Sequence, residues 1–152
     1  MFVFDAERVG KWVVEKSGGA YTHVCTAIGY EVDGVLVGGI MYDGFTGEKG
    51  KDGGQICMSS RVDDAKKLPR EFYWVIFDYP FNQLKVKAVR VIVNKNNLKA
   101  QKVNEHIGFK REAVLGDYFP EGDAIIYVLN RSDCRFLGDK YVRFSQTARA
   151  SR

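Results

Sequence analysis

The sequence contains little histidine and cysteine, and neither is arranged as a metal site. The two histidines, His23 and His106, form no HExxH pattern, and the three cysteines, Cys25, Cys57 and Cys134, lie far apart with no CxxC pair. A structural zinc ion needs four closely spaced nitrogen or sulfur ligands, so we expect no metal. Three distant cysteines also argue against a disulfide framework and favour a reducing, cytoplasmic setting.

The sequence also lacks segments that would direct it to a membrane or to nucleic acid. Its N-terminus has neither the basic start nor the apolar stretch of a secretion signal. The longest apolar run, residues 35–42, includes two glycines and is too short to span a bilayer. The net charge of +4 is spread along the chain without a basic block. We therefore expect no membrane partner, and the charge permits an anionic ligand without implying nucleic acid. Nucleic-acid binding through the basic residues 141–152 is a third hypothesis, ranked last.

Length and composition indicate one folded domain. Hydrophobic residues make up 45% and charged residues 28% of the 152 residues, which is typical of a globular chain rather than a disordered one. A chain of this length suits a single domain, to which we assign residues 1–137. Residues 138–152 form a basic tail without apolar periodicity, which predicts a disordered segment or an assembly arm.

The first half of the chain predicts a short strand at residues 2–4, a helix and then antiparallel strands. Asp5 is a good N-cap for the helix, and alternating residues then predict a strand that ends at the hairpin signal Asp33-Gly34. A second strand follows over residues 35–42. The glycine-rich segment 44–54 fails the spacing of a phosphate-binding loop and predicts a mobile hairpin loop before a third strand at 55–62.

Helix and strand alternate in the second half of the chain. Pro69 suits the first turn of a helix, and Pro80 should end or kink it. The β-branched run at 87–94 predicts an interior strand. The order strand, helix, strand therefore predicts a parallel crossover.

A last helix and two strands complete the predicted fold. Asn96 or Asn97 can cap the helix, and Gly108 suits its C-terminal end. Helical spacing places three of its apolar residues inward, namely Ala100, Val103 and Ile107. Strands follow over residues 109–118 and 124–129. The sequence thus predicts an α+β fold, in which a mixed, mostly antiparallel sheet of six to seven strands carries helices on both faces and one parallel βαβ crossover.

Two segments of this second half resemble a known family. The stretch VNKNNLKAQKVNEHIGFKREAVLGDY resembles the C-terminal signature of the GNAT-type N-acetyltransferases, in which a strand leads to an Asn, a short helix and a Gly-Phe pair. The family spacing is met by Asn97, Ala100, Gly108 and Phe109. The stretch DAIIYVLNRSDCRFL resembles the final strand of the ribosomal-protein acetyltransferase branch and of its short bacterial and phage relatives.

The resemblance implies an activity and its partners. It implies an N-acetyltransferase that uses acetyl-CoA as co-substrate and transfers the acetyl group to a primary amine, of a protein or a small molecule, by direct attack in a ternary complex. A homodimer is also expected. The alternative is a catalytically degenerate acetyltransferase fold that serves as a binding module for a host or partner macromolecule.

The resemblance also implies a coenzyme site at the start of the helix near Pro69. Family members usually carry (Gln/Arg)-x-x-Gly-x-(Gly/Ala) there, whereas this chain reads AKKLPR over residues 65–70. Because both glycines are absent, basic side chains would replace close backbone contacts to the pyrophosphate. A solvated Lys-Lys pair at a helix start is the alternative. The implied coenzyme-binding residues are Ser60, Arg61, Val62, Lys66, Lys67, Leu68, Arg70, Glu71 and Asn97.

The catalytic groups are less evident, because position 104, where many relatives have Tyr, is Asn. The resemblance implies that a backbone N–H near Ser60 stabilises the oxyanion. Either the thiolate leaves unaided, because thiols are already fairly acidic, or another group protonates it, with Tyr118, Ser59 and Cys57 as candidates. The amine proton would go, through water where needed, to a carboxylate such as Glu31 or Glu112.

Overall fold

The structure is a computed structural model that describes residues 1–138, so the predicted tail at 138–152 lies, except for Gly138, outside the described residues. Three α-helices and seven strands follow the predicted order. The helices are α1 (Ala6–Ser17), α2 (Arg70–Asp78) and α3 (Leu98–Ile107). The strands are β1 (Phe2–Val3), β2 (Thr26–Val32), β3 (Val35–Asp43), β4 (Gln55–Val62), β5 (Ala88–Asn94), β6 (Lys110–Phe119) and β7 (Gly122–Asn130).

All seven strands form one mixed sheet in the order β1-β2-β3-β4-β5-β7-β6. Five neighbouring pairs are antiparallel, and only β4 and β5 are parallel. The parallel pair is connected through α2, as a parallel pair requires a crossover. The predicted α+β fold with one βαβ crossover is therefore confirmed.

Local signals set the ends of the helices. The Asp5 carboxylate accepts a hydrogen bond from the Arg8 N–H at 3.0 Å and caps α1. Asn97 caps α3 in the same way, through the Ala100 N–H at 3.1 Å. Gly108 ends α3 with a φ of 119°, which favours glycine. These three predictions are confirmed.

The proline positions are also close to prediction, with one shift. Pro69 is the N-cap residue of α2 rather than a residue of its first turn. The α-helix ends at Asp78, and a π-helical turn over Tyr79–Gln83 carries Pro80. Because proline has no N–H to donate, the regular hydrogen-bond ladder cannot continue through it.

Helices cover both faces of the sheet. On one face, which we call the α2 face, α2 and α3 pack over a large core; on the other, the α1 face, α1 packs over β2, β3 and β4. The core beneath α1 includes Val9, Val13, Ala27 and Met41. The core on the α2 face includes Phe72, Val75, Val89 and Tyr127.

The prediction that Val103 of α3 lies in the core is wrong. Val103 is 50% exposed, whereas Gln101 is buried. The Gln101 side chain donates to the Lys95 carbonyl at 2.7 Å and accepts from Arg111 at 3.0 Å. A buried amide with two partners is tolerated, so α3 presents Gln101 to the interior and leaves Val103 at the surface.

The glycine-rich segment joins β3 to β4 as a hairpin loop, as predicted. Both of its ends are held by hydrogen bonds: the Gln55 side chain donates to the Gly44 carbonyl at 2.6 Å, and the Gly53 N–H donates to the Lys85 carbonyl at 2.9 Å. The loop is therefore anchored at its base, and the mobility of its exposed tip stays a prediction.

Candidate functional site

A gap opens in the middle of the sheet where β4 and β5 part. Their parallel pairing comprises only Gln55–Ala88, Ile56–Val89 and Cys57–Arg90. Both strands continue beyond it, β4 to Val62 and β5 to Asn94. Because the strands are parallel, their C-terminal ends flank the same end of the gap.

The backbone of β4 directs polar groups into this gap. The Asp63 N–H donates to the Val37 carbonyl of β3 at 2.9 Å, and the β3–β4 register is regular. Alternate residues of a strand bond to opposite neighbours, so the groups of Ser59 and Arg61 face β3. The N–H and C=O groups of Ser60 and Val62 therefore point toward the gap, where the pairing with β5 has ended.

The segment after β4 brings the predicted basic residues together at the start of α2. The Asp64 carboxylate accepts from the Lys66 N–H at 3.1 Å and caps a 3-10 turn over Ala65–Lys67. The Lys67 ammonium lies 3.5 Å from the same carboxylate. Arg70 and Glu71 form the first turn of α2, whose N–H groups and dipole favour an anion. Lys66, Lys67 and Arg70 therefore lie in neighbouring turns at the start of α2, and their binding of a ligand stays a prediction.

Leu68 packs the segment between β4 and α2 against the sheet. A Cβ placed on Gly38 of β3 would lie 2.7 Å from the Leu68 side chain, which is too close for any non-glycine residue without displacement. The sequence reasoning missed this contact, although the Gly38-Gly39 pair inside a strand is a signal of close approach. Leu68 therefore acts in the structure as a packing residue beside the gap.

The Arg61 side chain turns to the α1 face and contacts α1. Its guanidinium lies 4.0 Å from the ring centroid of Trp12 and donates to the Trp12 carbonyl at 2.8 Å. It also pairs with Glu15 at 3.1 Å and with Asp63 at 2.8 Å. Hydrogen bonds from Arg61 lower the pKa of Asp63. The Arg61 side chain therefore links α1 to β4. The β4 groups that border the gap are the backbone groups of the adjacent residues, Ser60 and Val62.

On the other side of the gap, polar groups follow β5. The Asn94 side chain donates to the Glu121 carboxylate of the β6–β7 hairpin and accepts from the Asn96 N–H at 2.9 Å. Asn97 uses its side-chain oxygen as the cap of α3. Its amide N–H2 group makes no hydrogen bond within residues 1–138. The Asn94–Glu121 contact, which the sequence reasoning missed, holds the hairpin against the end of β5.

Tyr118 lies on that same hairpin. Its side chain is 49% exposed, and its ring packs edge-on against Phe119 at 4.9 Å. Asp117, the preceding residue, has a positive φ of 53°, and its N–H donates to the Asp123 carboxylate at 2.9 Å. This irregular turn fixes the backbone of the hairpin beside Tyr118. Its role as an acid stays a prediction.

The structure does not bring the candidate carboxylates to the gap. Glu31 lies on β2, two strands from β4, and pairs with Arg8 at 2.8 Å. Glu112 accepts two hydrogen bonds from Arg90, at 2.8 and 3.0 Å, which lower its pKa. Each carboxylate already has a basic partner, and proton transfer to either one stays a prediction.

Two further positions have structural roles. Burial is the main cause that raises the pKa of the Cys57 thiol, and Cys57 lies within the paired part of β4 rather than beside the gap. Asn104, at the position of the family Tyr, donates its side-chain N–H to the Ala100 carbonyl at 2.9 Å within α3. An amide of this kind cannot protonate a leaving thiolate.

The part of the chain that the structure describes has no helix long and apolar enough to cross a membrane. The same residues contain no group of three or more His, Cys, Asp or Glu side chains that could hold a metal ion.

Comparisons with known proteins identify the fold. A scan of protein-family models and a search of curated proteins give no match. Solved structures do match. A chimera of the Vibrio cholerae spermidine N-acetyltransferase SpeG and hSSAT has a TM-score of 0.64 at 14% identity, covering 91% of this chain and 98% of its own. Arabidopsis thaliana NAA60 bound to acetyl-CoA has a TM-score of 0.63 at 12% identity, covering 87% and 99%.

A third similar structure is the aminoglycoside acetyltransferase AAC(6')-Ib in complex with coenzyme A and kanamycin. Its TM-score is 0.57 at 15% identity, and the match covers 97% of this chain and 98% of that one. At this level of identity the comparison establishes architecture. The chain has the α+β fold of the GNAT N-acetyltransferases, with the sheet parted between β4 and β5.

Proposed function

We propose that the protein is an acetyl-CoA-dependent N-acetyltransferase that acetylates a primary amine. The observation that carries the proposal is the gap between β4 and β5, where the backbone groups of Ser60 and Val62 lack a strand partner and a basic helix start lies beside them. The similar structures support it, because NAA60 is bound to acetyl-CoA and AAC(6')-Ib to coenzyme A. We also propose a cytoplasmic location and kinship with the short relatives of the ribosomal-protein acetyltransferase branch.

Binding would use both the side chains and the backbone at the gap. Lys66, Lys67 and Arg70 would form charge-assisted contacts to the pyrophosphate, together with the first N–H groups of α2. The β4 backbone would pair with the amide groups of the pantetheine arm as it would with a neighbouring strand. Asn97 would add its free amide N–H2 group from the β5 side.

Chemistry would proceed by direct transfer in a ternary complex. The neutral amine of a protein or small molecule attacks the thioester carbonyl, a C–N bond forms, and the C–S bond breaks. The Ser60 N–H stabilises the oxyanion, a contact that typically lowers a barrier by about 3 kcal/mol. Tyr118 protonates the departing thiolate, and the amine proton passes through water to a carboxylate, with Glu31 and Glu112 as candidates.

Acetyl-CoA binding tests the proposal directly. A ligand that binds only the folded protein raises its stability by mass action, by about 2.7 kcal/mol at a hundredfold excess over Kd. We expect acetyl-CoA to raise the melting temperature of the wild type and to have a much smaller effect on the triple variant Lys66→Ala, Lys67→Ala, Arg70→Ala. A matched control changes three lysines outside the site to Ala, for example Lys11, Lys49 and Lys102. No shift for the wild type at millimolar acetyl-CoA contradicts the proposal.

A second function, a binding module without turnover, is favoured by one specific observation. The chain has Asn104 in place of the family Tyr, and the Asn104 side chain is bonded within its own helix. Release of free coenzyme A thiol in the presence of amine acceptors separates the two functions. Acetyl-CoA binding without thiol release for peptide, polyamine and aminoglycoside acceptors would support the binding module.

A further inference from the structure

The turn between β6 and β7 lies next to a break in their pairing. Near the turn, residues 116–118 of β6 lie opposite Asp123 of β7 alone. Extra residues of this kind interrupt the hydrogen-bond ladder and bend the strand that carries them. Tyr118 belongs to this interrupted stretch, so the regular ladder does not fix the backbone around it.

Contacts from the end of β5 hold the turn from outside the hairpin. The Asn94 side chain donates to the Glu121 carboxylate. The next backbone N–H, that of Lys95, donates to the Asp123 carbonyl at 2.9 Å. The Asp123 carboxylate accepts in turn from the Asp117 N–H at 2.9 Å. The contacts therefore run from β5 across the turn to the residue that precedes the candidate acid.

Asn94 uses both ends of its side-chain amide. Its Nδ2 group donates to Glu121, and its Oδ1 atom accepts from the Asn96 N–H at 2.9 Å in the turn that leads to α3. A carboxylate at this position could keep the second bond but not the first, because an ionised carboxylate has no donor. The contact with Glu121 therefore depends on the amide of Asn94 in particular.

Asn94 also lies at the open end of the gap. The last rung between β4 and β5 is Cys57–Arg90, and parallel strands advance by about 3.3 Å per residue. Asn94 and Arg61 each lie four residues beyond that rung and are therefore level with each other. The backbone groups of Ser60 that face the gap come one residue earlier. The turn bonded to Asn94 therefore adjoins the end of the gap.

We propose that Asn94 is a positioning residue for acetyl transfer, because it fixes the β6–β7 turn, and Tyr118 with it, relative to the gap. The inference rests on the proposed function, in which Tyr118 protonates the departing thiolate. Proton transfer requires the two groups within hydrogen-bond reach, and a displacement of about 1 Å can cost about a hundredfold in rate. Asn94 therefore affects turnover rather than coenzyme affinity, since the pyrophosphate and pantetheine contacts are proposed for α2 and β4.

Exchanging the charged and the neutral partner tests the contact. Asn94→Asp retains the acceptor for the Asn96 N–H but places a second carboxylate beside Glu121. We expect kcat for thiol release to fall about tenfold or more, with the Kd for acetyl-CoA unchanged. Glu121→Gln should retain most of the turnover, because its amide oxygen can still accept from Asn94. The double variant Asn94→Asp, Glu121→Gln should recover turnover, because the introduced amide can donate to the introduced carboxylate.

A control variant and a spectroscopic measurement accompany the kinetics. Asn130→Asp makes the same change at the exposed far end of β7, and its kcat should equal that of the wild type. Amide NMR shifts of residues 116–119 report the turn directly, without ligand. They should move in Asn94→Asp and return toward the wild-type values in the double variant. Circular dichroism verifies that every variant is folded.

Several results would overturn the inference. Wild-type kcat or unmoved shifts at residues 116–119 in Asn94→Asp would do so, as would a double variant that stays slow. Loss of turnover in Glu121→Gln would also do so, because the carboxylate itself would then be the acting group. A wild type that binds acetyl-CoA but releases no thiol with any acceptor contradicts the proposed function, and the inference falls with it. The other results require an active wild type, so the two failures are distinguishable.

Discussion

Asn97 combines a structural role with a proposed ligand contact, and the two can be separated. Its side-chain oxygen caps α3, whereas its N–H2 group faces no partner among the described residues. Asn97→Ala should lower the free energy of unfolding by about 1 kcal/mol. Asn97→Ser should retain most of that stability, because serine is also a good N-cap, yet lose the amide donor.

The measurement pairs denaturant unfolding with acetyl-CoA titration for both variants. If Asn97 contacts the coenzyme, the two variants should bind acetyl-CoA equally weakly despite their different stabilities. Wild-type affinity in Asn97→Ser would restrict Asn97 to the role of a cap.

The Arg90–Glu112 pair predicts a pH-dependent contribution to stability. Hydrogen bonds from Arg90 lower the pKa of Glu112 in the folded protein, so folding favours the charged carboxylate. The stabilisation is complete above the unfolded carboxyl pKa of about 4.3 and is lost as the pH falls through the folded pKa. Because both side chains are about a third exposed, Glu112→Gln should cost about 1 kcal/mol or less at pH 7.

Unfolding free energies of wild type and Glu112→Gln at several pH values check this expectation. Their difference should shrink toward zero as the solution is acidified below pH 4. Glu48→Gln provides the control, since its pair with Lys51 is mostly exposed and should contribute little at any pH. A difference that persists in acid would assign the effect of Glu112→Gln to packing.

At the residue scale, the sequence predicts best where partners are close in the chain. The cap formed by Asn97 involves the residue three positions later, so its spacing is visible in the sequence. Arg61 is different, because the carbonyl it contacts belongs to Trp12, 49 residues earlier. No local pattern reveals that partner, and the prediction that Arg61 binds the coenzyme missed its contact with α1.

Among the elements, β4 has two backbone edges in different environments. The N–H groups of Ser59 and Arg61 face β3, whereas those of Ser60 and Val62 face the gap. In hydrogen exchange resolved by residue, the first two should be protected in the free protein and the last two should exchange rapidly. Acetyl-CoA should slow exchange selectively at Ser60 and Val62, because these are the groups proposed to bind it.

Exchange followed by NMR with and without acetyl-CoA makes this measurement. Ser59 and Arg61 serve as internal controls on the same strand. Equal slowing at all four positions would indicate general stabilisation of the sheet rather than contact along one edge.

The limits of element prediction are clear in α3. Its start and end were predicted from Asn97 and Gly108, because capping chemistry is local. The buried face of α3 was not predicted correctly, because the hydrophobicity of Val103 favoured an interior position for that residue. The Lys95 carbonyl and Arg111 supply hydrogen bonds that make burial of Gln101 acceptable. Lys95 is close in the chain, but Arg111 becomes a neighbour of Gln101 only after β6 has folded back beside α3.

For the whole molecule, alternation and connection length predicted one parallel crossover and a sheet of six to seven strands. They did not predict that β7 enters between β5 and β6, because any order of the last strands preserves the same periodicity. They also did not specify where β4 and β5 part. The contacts that hold this part of the chain, such as Arg61 with α1 and Leu68 with Gly38 of β3, are tertiary and are not visible in a local pattern.

The short parallel ladder has a mechanical consequence. Three residue pairs, from Gln55–Ala88 to Cys57–Arg90, are the only rungs that join the β1–β4 arm to the β5–β7 arm within the described chain. The two arms are otherwise joined through the core beneath α2, to which both contribute residues. A molecule that bonds to the β4 backbone in the gap would add hydrogen bonds beside this short ladder, so its binding would strengthen the junction between the two arms.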